Sequence, residues 1–458
     1  MIKSKKMNGI DQRLISQILR NHVKPSVGCT EPVAVALATS IAYHAIIGKV
    51  PKFIEIIKNV NSIRISPKNI EEITIDIDRN TYKNSLAVGI PGTPNLQGIY
   101  IAAALGVFCD PDRELTLFSD SNGSKMSLAK NLLEKNKVKI NLMDNCGGQS
   151  DINIRAKIRV EGNEGEAWIQ HDHSNITFIR RNNEVLFDKR DTSKNHKVSG
   201  DIKYIADMNI SQLIYIVENL SEEDKAFINE GIEMNKKASE IGIRKKLGLK
   251  IGYTIQKLNE EKKLKDNEIN LAKSKTAGAG DARMSGYSLP VMSSCGSGNQ
   301  GIVAILPILA VAEKRGVDKK KLIRAVALSH LVTSYITYYS GYLSALCGCA
   351  IKAGIGATVG ITYYLGGDIE KIGMAINNIA GNITGMICDG AKVGCAMKMA
   401  TAAGVAVESG LLALEGIGIP LNNGIVAKNP EDTLKNIGRI SEGMISTDKS
   451  IVEIMTDK

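Results

Sequence analysis

The sequence predicts an α+β protein, a mainly helical Gly/Ala-rich domain with a β-rich α/β region inserted in the middle. Three observations predict it. Aromatic residues make up only 4% of the chain while 43 glycines are spread through it, a composition suited to close-packed helices with glycine-lined loops. Residues 114 to 190 carry short alternating apolar runs parted by Asn and Gly turns, the pattern of strands. From Thr276 to the end the apolar residues take helical spacing. With 458 residues the chain has length for roughly two to three domains. The expected division is 1–113 as the first part of the helical domain, 114–270 as the β-rich region followed by amphipathic helices, and 271–458 as the remaining helical part.

Each element has a local reason. Asp11 to Val23 sets Leu14, Ile15, Ile18 and Leu19 at a helical period; Lys24-Pro-Ser-Val-Gly-Cys-Thr-Glu-Pro32 breaks it; Val33 to Ile47 is a continuously apolar, Ala-rich second helix. Cys29 therefore sits in a tight turn at a helix N-terminus, where the dipole and free N–H groups predict a lowered thiol pKa. A capping turn with an incidental cysteine is the plainer alternative. Ile73 to Ile77 alternates as a strand, Ala87 to Pro94 is a Gly/Pro loop and Tyr100 to Phe108 a buried Ala-rich helix. Strands are expected at Glu114–Phe118, Val138–Leu142, Ile152–Val160, Gly165–His171, Asn175–Arg180 and Val185–Asp188. Ile210–Leu220 and Glu222–Lys246 are amphipathic helices, and Leu258–Asp266 is a charged connector. Helices follow near 300–315, 319–340, 350–365, 368–379 and 395–415.

Charge and composition exclude several classes. The net charge is +10, but the basic residues are interleaved with acidic ones, as in Glu260-Glu-Lys-Lys-Leu-Lys-Asp266. That is a solvated mixed surface rather than a nucleic-acid footprint. Met1-Ile-Lys-Ser-Lys-Lys6 is followed by no apolar signal region, and the longest apolar run, Gly301 to Ala312, contains Pro307 and is too short for a membrane span. A soluble cytoplasmic protein with reduced thiols is expected, with no nucleic-acid or membrane partner and with a homo-oligomer allowed for.

Four of the eight cysteines fall in Cys347-Gly-Cys349 and Cys388-Asp-Gly-Ala-Lys-Val-Gly-Cys395, each beside a glycine or one residue from it. Buried structural cysteines are the plain reading. Their spacing is neither that of a structural zinc site nor the compact ferredoxin run. Three thiolates from separate loops would leave one iron of a cubane cluster open, a Lewis acid rather than an electron carrier. Ser293-Ser-Cys-Gly-Ser-Gly-Asn-Gln-Gly301, a glycine loop opening a helix, can receive an anion on its free N–H groups, with Ser297, Asn299 and Gln300 orienting a carboxylate. Arg283 can hold a carboxylate by two hydrogen bonds or pair with Asp281. His171 and His173 read as ordinary hydrogen-bonded histidines, and Cys109 and Cys146 have no motif around them.

Val23 to Pro32, Asp281-Ala-Arg-Met284, Ser294 to Gly301, Cys347-Gly-Cys349 and Cys388 to Cys395 together resemble the L-cysteine desulfidase family, related to the α chain of iron–sulfur L-serine dehydratases. The resemblance covers nearly the whole chain and is weakest over 114–270. It implies a catalytic role for the helical domain and a [4Fe-4S] cluster held by three cysteines. The implied reaction converts a small amino acid, L-cysteine, into pyruvate, ammonia and sulfide without pyridoxal phosphate. Cys388 and Cys395 match two ligands, the third being Cys347 or Cys349; Cys29 matches the proposed proton acceptor. The glycine loop 295–301, with Ser297, Asn299 and Gln300 and with Arg283 beside it, is expected to hold the substrate α-carboxylate. The interval of seven between Cys388 and Cys395 fits the desulfidase branch better than the dehydratases. Three rivals stand beside this reading. One is L-serine deamination by the same cluster; another is a pyridoxal-phosphate dehydratase using Lys273 or Lys275; the third is a non-enzymatic Fe–S or zinc sensor or scaffold.

Overall fold

A computed structural model of the chain describes residues 10–54, 60–92, 96–143, 152–190, 200–421 and 423–457. Cys146, the Met1–Lys6 start and part of the 87–94 loop lie outside the described residues. The chain is 60% helical, with a mixed sheet region in its middle, as the α+β class requires.

Helix α1 (Gln12–His22) begins at Asp11, whose carboxylate accepts the N–H groups of Arg13 and Leu14. Strand β1 (Pro25–Val27) leads into α2 (Thr30–Ile46), in which every residue but His44 is buried. A helix apolar all round belongs inside a core. Then come β2 (Ile70–Ile77), α3 (Arg79–Ser85), α4 (Ile99–Gly106), α5 (Gly123–Glu134) and β3 (Val138–Leu142). They are followed by β4 (Asn153–Val160), β5 (Asn163–Gln170), β6 (Ile176–Arg181) and β7 (Glu184–Asp188). The sheet runs β3-β2-β4-β5-β6-β7, parallel only between β2 and β3. One face of it is covered by α2, which lies so close that a Cβ on Gly165 would stand 2.0 Å from the Ala42 carbonyl oxygen. Only glycine allows that approach.

The helical part comprises α6 (Gly200–Ala206), α7 (Ile210–Glu218), α8 (Glu222–Arg244), α9 (Ile251–Glu260), α10 (Glu268–Met284) and the short β8 (Pro290–Met292). It continues with α11 (Gly298–Arg315), α12 (Lys319–Ser340), α13 (Gly348–Tyr364), α14 (Ile369–Ile383), α15 (Cys395–Leu414), α16 (Pro430–Gly443) and α17 (Ile445–Thr456). The all-round apolar α13 is the hub, packed on α11, α12, α14 and α15. By composition α15 alone among the described helices could cross a membrane, yet 56% of its apolar window is buried inside the protein.

One expectation is corrected here. Glu114–Phe118 is no strand but part of a 3₁₀ segment, Pro111–Asp120. The Asp110 carboxylate caps it and Pro111 presets its first turn, outweighing the β-propensity of Leu115 to Phe118. Apolar packing is continuous across residues 113 and 114. One core joins residues 33 to 187 and Leu343, and the other runs from Ile15 to Val23 and from Ile205 to Ile437. Strand β2 pairs with β3 and β4 far along the chain, so α2, β2 and α4 pack with the sheet. Local periodicity does not show such pairing.

Candidate active site

The two chain segments that carry the Cys29 turn and the glycine loop are tied by one small ladder. Strands β1 and β8 pair antiparallel, Pro25 opposite Met292 and Val27 opposite Pro290. The Ser293 N–H extends the pairing to the Lys24 carbonyl (2.8 Å), and the Cys295 N–H to that of His22 (2.7 Å). Beyond β1, Cys29 is the residue that opens α2; beyond β8, the Ser297 hydroxyl accepts the Gln300 N–H and opens α11. Two helix N-termini are thereby held side by side.

A cavity of about 70 Å³ lies between them, and its wall contains Cys29, Arg283, Ser297, Asn299, Gln300, Cys347, Cys349, Cys388 and Cys395. All nine candidate residues from the sequence meet there. The cavity also takes in Glu31, Asn84, Tyr342, Ser344 and Lys398, which sequence reasoning missed. Glu31 stood in the quoted motif two residues from Cys29; the others had no local signal, because only tertiary packing brings them in.

Arg283, at the end of α10 and 2% exposed, donates from Nη1 to Asn299 Oδ1 at 2.9 Å. Its Nε and Nη2, and Oε1 of Gln300, are buried with no hydrogen-bond partner among the described residues. A Cβ on Gly298 would stand 2.3 Å from that Nε, so the helix start must be glycine for the guanidinium to lie where it does. Asp281 does not pair with Arg283. Its carboxylate takes the N–H groups of Leu249 (3.1 Å) and Gly252 (3.0 Å) instead.

Cys29 Sγ donates to Glu31 Oε2 at 2.9 Å. The helix N-terminus alone predicts a lowered thiol pKa; in the structure it is raised well above its ordinary value, first by burial and then by the neighbouring Glu31 carboxylate, with Arg283 opposing. Thus Cys29 rests as a thiol, not a thiolate.

Cys347 opens α13, and its Sγ lies 3.3 Å from that of Cys349, well beyond the roughly 2.05 Å of a disulfide. The hydrogen bond shared with the Cys349 thiol, against the cost of burial, lowers Cys347 to about 7, helped by the Ala350 N–H. Across the cavity, Cys347 N–H bonds to the Met386 carbonyl (2.8 Å) and Cys388 N–H to that of Ala345 (2.7 Å), so backbone pairing sets 347 beside 388. Cys395 begins α15, and burial pushes its thiol up to about 12. Burial also raises Cys388, against the nearby Lys83 ammonium.

Three lysines surround these thiols. Lys83 pairs with Asp448, Lys352 donates to the carbonyls of Gly341 and Tyr342, and Lys398 donates to the Ile387 carbonyl (2.8 Å) and to Asp389. Burial lowers Lys352 to about 8 against the pull of the neighbouring cysteines. Among the described residues no three His, Cys, Asp or Glu side chains converge on a point that would hold a single metal ion. The set fits a polynuclear cluster better: soft thiols on separate loops, each free to take a different iron, and ammonium groups that balance an anionic thiolate cluster. Binding such a cluster must expel the thiol protons.

Lys273 and Lys275 do not line this cavity; Lys275 pairs with Glu313 at 2.9 Å. His173 departs from the ordinary hydrogen-bonded histidine expected of it. It is 1% exposed with neither ring nitrogen bonded among the described residues, because it is wedged against Gly296, where a Cβ would stand 2.7 Å from its Nδ1.

The family described as serine dehydratase alpha chain matches residues 124–453. The chain belongs to that family. It is similar over nearly its full length to UPF0597 proteins: 39% identical over 450 residues to one from Clostridium tetani (strain Massachusetts / E88), covering 97% of this chain and 98% of the relative. A relative from Desulfatibacillum aliphaticivorans is 36% identical over 451 residues, again 97% and 98% of the two chains. One from Caldanaerobacter subterraneus subsp. tengcongensis is 38% identical over 450 residues, 98% and 99%. Membership in the serine dehydratase alpha chain family supports a lyase-type enzyme with an iron–sulfur cofactor and a small-molecule substrate.

Proposed function

We propose that this chain is an L-cysteine desulfidase, eliminating sulfide from L-cysteine to leave pyruvate and ammonia with the aid of a [4Fe-4S] cluster. The observation that carries the reading is the Nε and Nη2 edge of buried Arg283, without a partner among the described residues, in the same small cavity as five cysteines. A buried guanidinium edge with no partner asks for a carboxylate. An α-amino acid bound there by its carboxylate would carry its β-substituent to the cysteines only if it were short, as cysteine and serine are. The cluster, when bound, supplies a Lewis-acidic iron for that substituent.

Cys347, Cys388 and Cys395 would hold the cluster. The backbone pairing of 347 with 388 favours Cys347 over Cys349, whose sulfur lies 3.3 Å from that of Cys347. Arg283 and Asn299 hold the substrate carboxylate and fix the Cα–H direction. Glu31 accepts the Cys29 proton, and the thiolate so formed takes the α-hydrogen; the raised thiol pKa makes that thiolate scarce but strongly basic. L-serine deamination keeps every one of these roles and changes only the leaving atom.

The test is anaerobic purification with iron and sulfide analysis, followed by pyruvate and sulfide assays on L-cysteine and L-serine in parallel. About four irons per chain with sulfide release is the expected result. Turnover of serine alone transfers the reading to serine dehydratase, and an iron-free protein under strict anaerobiosis removes it.

A further inference from the structure

β-Elimination moves several protons in and out of the cavity, since one leaves Cα and others are needed by the leaving group and by the enamine as it hydrolyses. The structure contains a continuous candidate for that crossing. Tyr342, 3% exposed, lines the cavity at the loop between α12 and α13. Its hydroxyl lies 3.3 Å from His22 Nδ1, at the end of α1. The other ring nitrogen, Nε2, lies 2.9 Å from Asp201 Oδ1 on α6, while Asn21 Nδ2 donates to the second carboxylate oxygen at 3.1 Å. The Asp201 side chain is 24% exposed, against 6% for His22, so the series runs from buried cavity to solvent.

The order of the groups sets the tautomer. A carboxylate accepts only, so Nε2 carries a hydrogen, and in the neutral ring Nδ1 is then the acceptor for the phenol. The rings of His22 and Tyr342 lie with centroids 6.4 Å apart and planes at 28°. A histidine buried only for packing needs one partner; here three ionisable groups from three separate elements are aligned.

We propose that Tyr342–His22–Asp201 is a proton path between the active cavity and solvent, an inference that rests on the β-elimination reading above. In the outward step the Tyr342 O–H proton passes to Nδ1 as the Nε2 proton passes to Asp201 and on to water, and the phenolate is reprotonated from the cavity side. The ring is left with its hydrogen on Nδ1, and the inward step, in which Tyr342 gives its proton to the cavity, Nδ1 reprotonates the phenolate and Asp201 returns a proton to Nε2, restores it. Only O–H and N–H bonds are exchanged, and the reverse order brings a proton in.

The experiment compares full-length, anaerobically reconstituted wild type with His22→Ala, Tyr342→Phe and Asp201→Asn on L-cysteine, measuring iron content, kcat, KM and the effect of added imidazole. His22→Ala is expected to keep its iron, lose about tenfold or more in kcat with KM held within about twofold, and recover part of the loss with imidazole. Tyr342→Phe should share the loss without the rescue. Asp201→Asn, a change at the solvent end, should lower kcat less, and it decides the matter if His22→Ala does not fold. Wild-type kcat in Asp201→Asn or His22→Ala, or a His22→Ala loss that imidazole leaves untouched, overturns the path. A wild type inactive on both cysteine and serine strikes the β-elimination reading, which the variant ratios do not address.

Discussion

The sheet side and the helical side of the molecule reach the same cavity by different means. On the sheet side the chain is held by a β-ladder and one buried Ala-rich helix, and it delivers the hydrogen-bonded pair Cys29 and Glu31, proposed above to handle the α-proton, with Asn84 in the same cavity wall. On the helical side, α10, α11, α13 and α15 deliver Arg283, the glycine loop and all four clustered cysteines. On the proposed reading, carboxylate binding and metal chemistry sit on the helical side together with the Tyr342–His22–Asp201 path, and the acceptor of the α-proton on the other, with the β1–β8 pairing as the stitch. A division of this kind can be broken one side at a time.

The largest effect should come from taking the two sides' cysteines in turn. Cys388→Ala is expected to lose iron and turnover together, whereas Cys29→Ala should retain iron and lose turnover by about 10²-fold or more. Iron content and pyruvate formation on the same samples check both. A Cys29→Ala protein with normal turnover would remove the proton role from the sheet side.

Next in size is Gly298→Ala. The added methyl must displace the Arg283 guanidinium, since the contact to Nε would be 2.3 Å. With the carboxylate anchor moved, kcat/KM should fall on the order of 10²-fold, with iron content unchanged. A variant of normal KM would show that the carboxylate is held elsewhere.

A third change tests what joins the two sides behind the cavity. Lys83, on α3, is completely buried against Asp448 of the last helix, α17. Lys83→Met leaves that carboxylate buried and unpaired, which costs about 3–5 kcal/mol when an ion pair loses one partner. It also withdraws a cation from beside Cys388. Chemical denaturation should show the loss, and the reduction potential of the bound cluster should move to more negative values. An unchanged potential would separate Lys83 from the cluster.

How much of this was readable from residues alone follows the same division. The helical side was legible almost element by element, since helices at 298–315, 319–340 and 395–414 carry their own periodicity and their caps adjoin the motifs. The four cysteines, Arg283 and the glycine loop carried their chemistry in short motifs. The sheet side was less so: β2 is central to the sheet but finds β3 and β4 more than sixty residues away, and the 3₁₀ turn at 111–120 looked like a strand. Cys29 was found by its turn, but its ionisation was misjudged, because burial and Glu31 act through packing that the helix-dipole argument leaves out. Tyr342, Lys352 and Lys398 had no motif to mark them.

The smallest expected effect lies on the helical side alone. Asp281 precedes Arg283 by two residues on α10, and burial raises its carboxyl to about 6 despite the N–H groups of Gly252, Ile251 and Leu249. A carboxyl whose folded pKa lies above its unfolded value favours the fold while protonated. Its contribution is fully present below the unfolded value near 4 and is lost as pH rises through about 6. A rise of that size is worth up to about 3 kcal/mol. Wild-type stability relative to Asp281→Asn should therefore decline between pH 4 and pH 6 by that amount or less and be flat above pH 7. Because the loop Asp281 grips leads only into α9, the sheet-side pair should be untouched, and a change in the Cys29-dependent turnover of Asp281→Asn would mean that the two sides are coupled through α10.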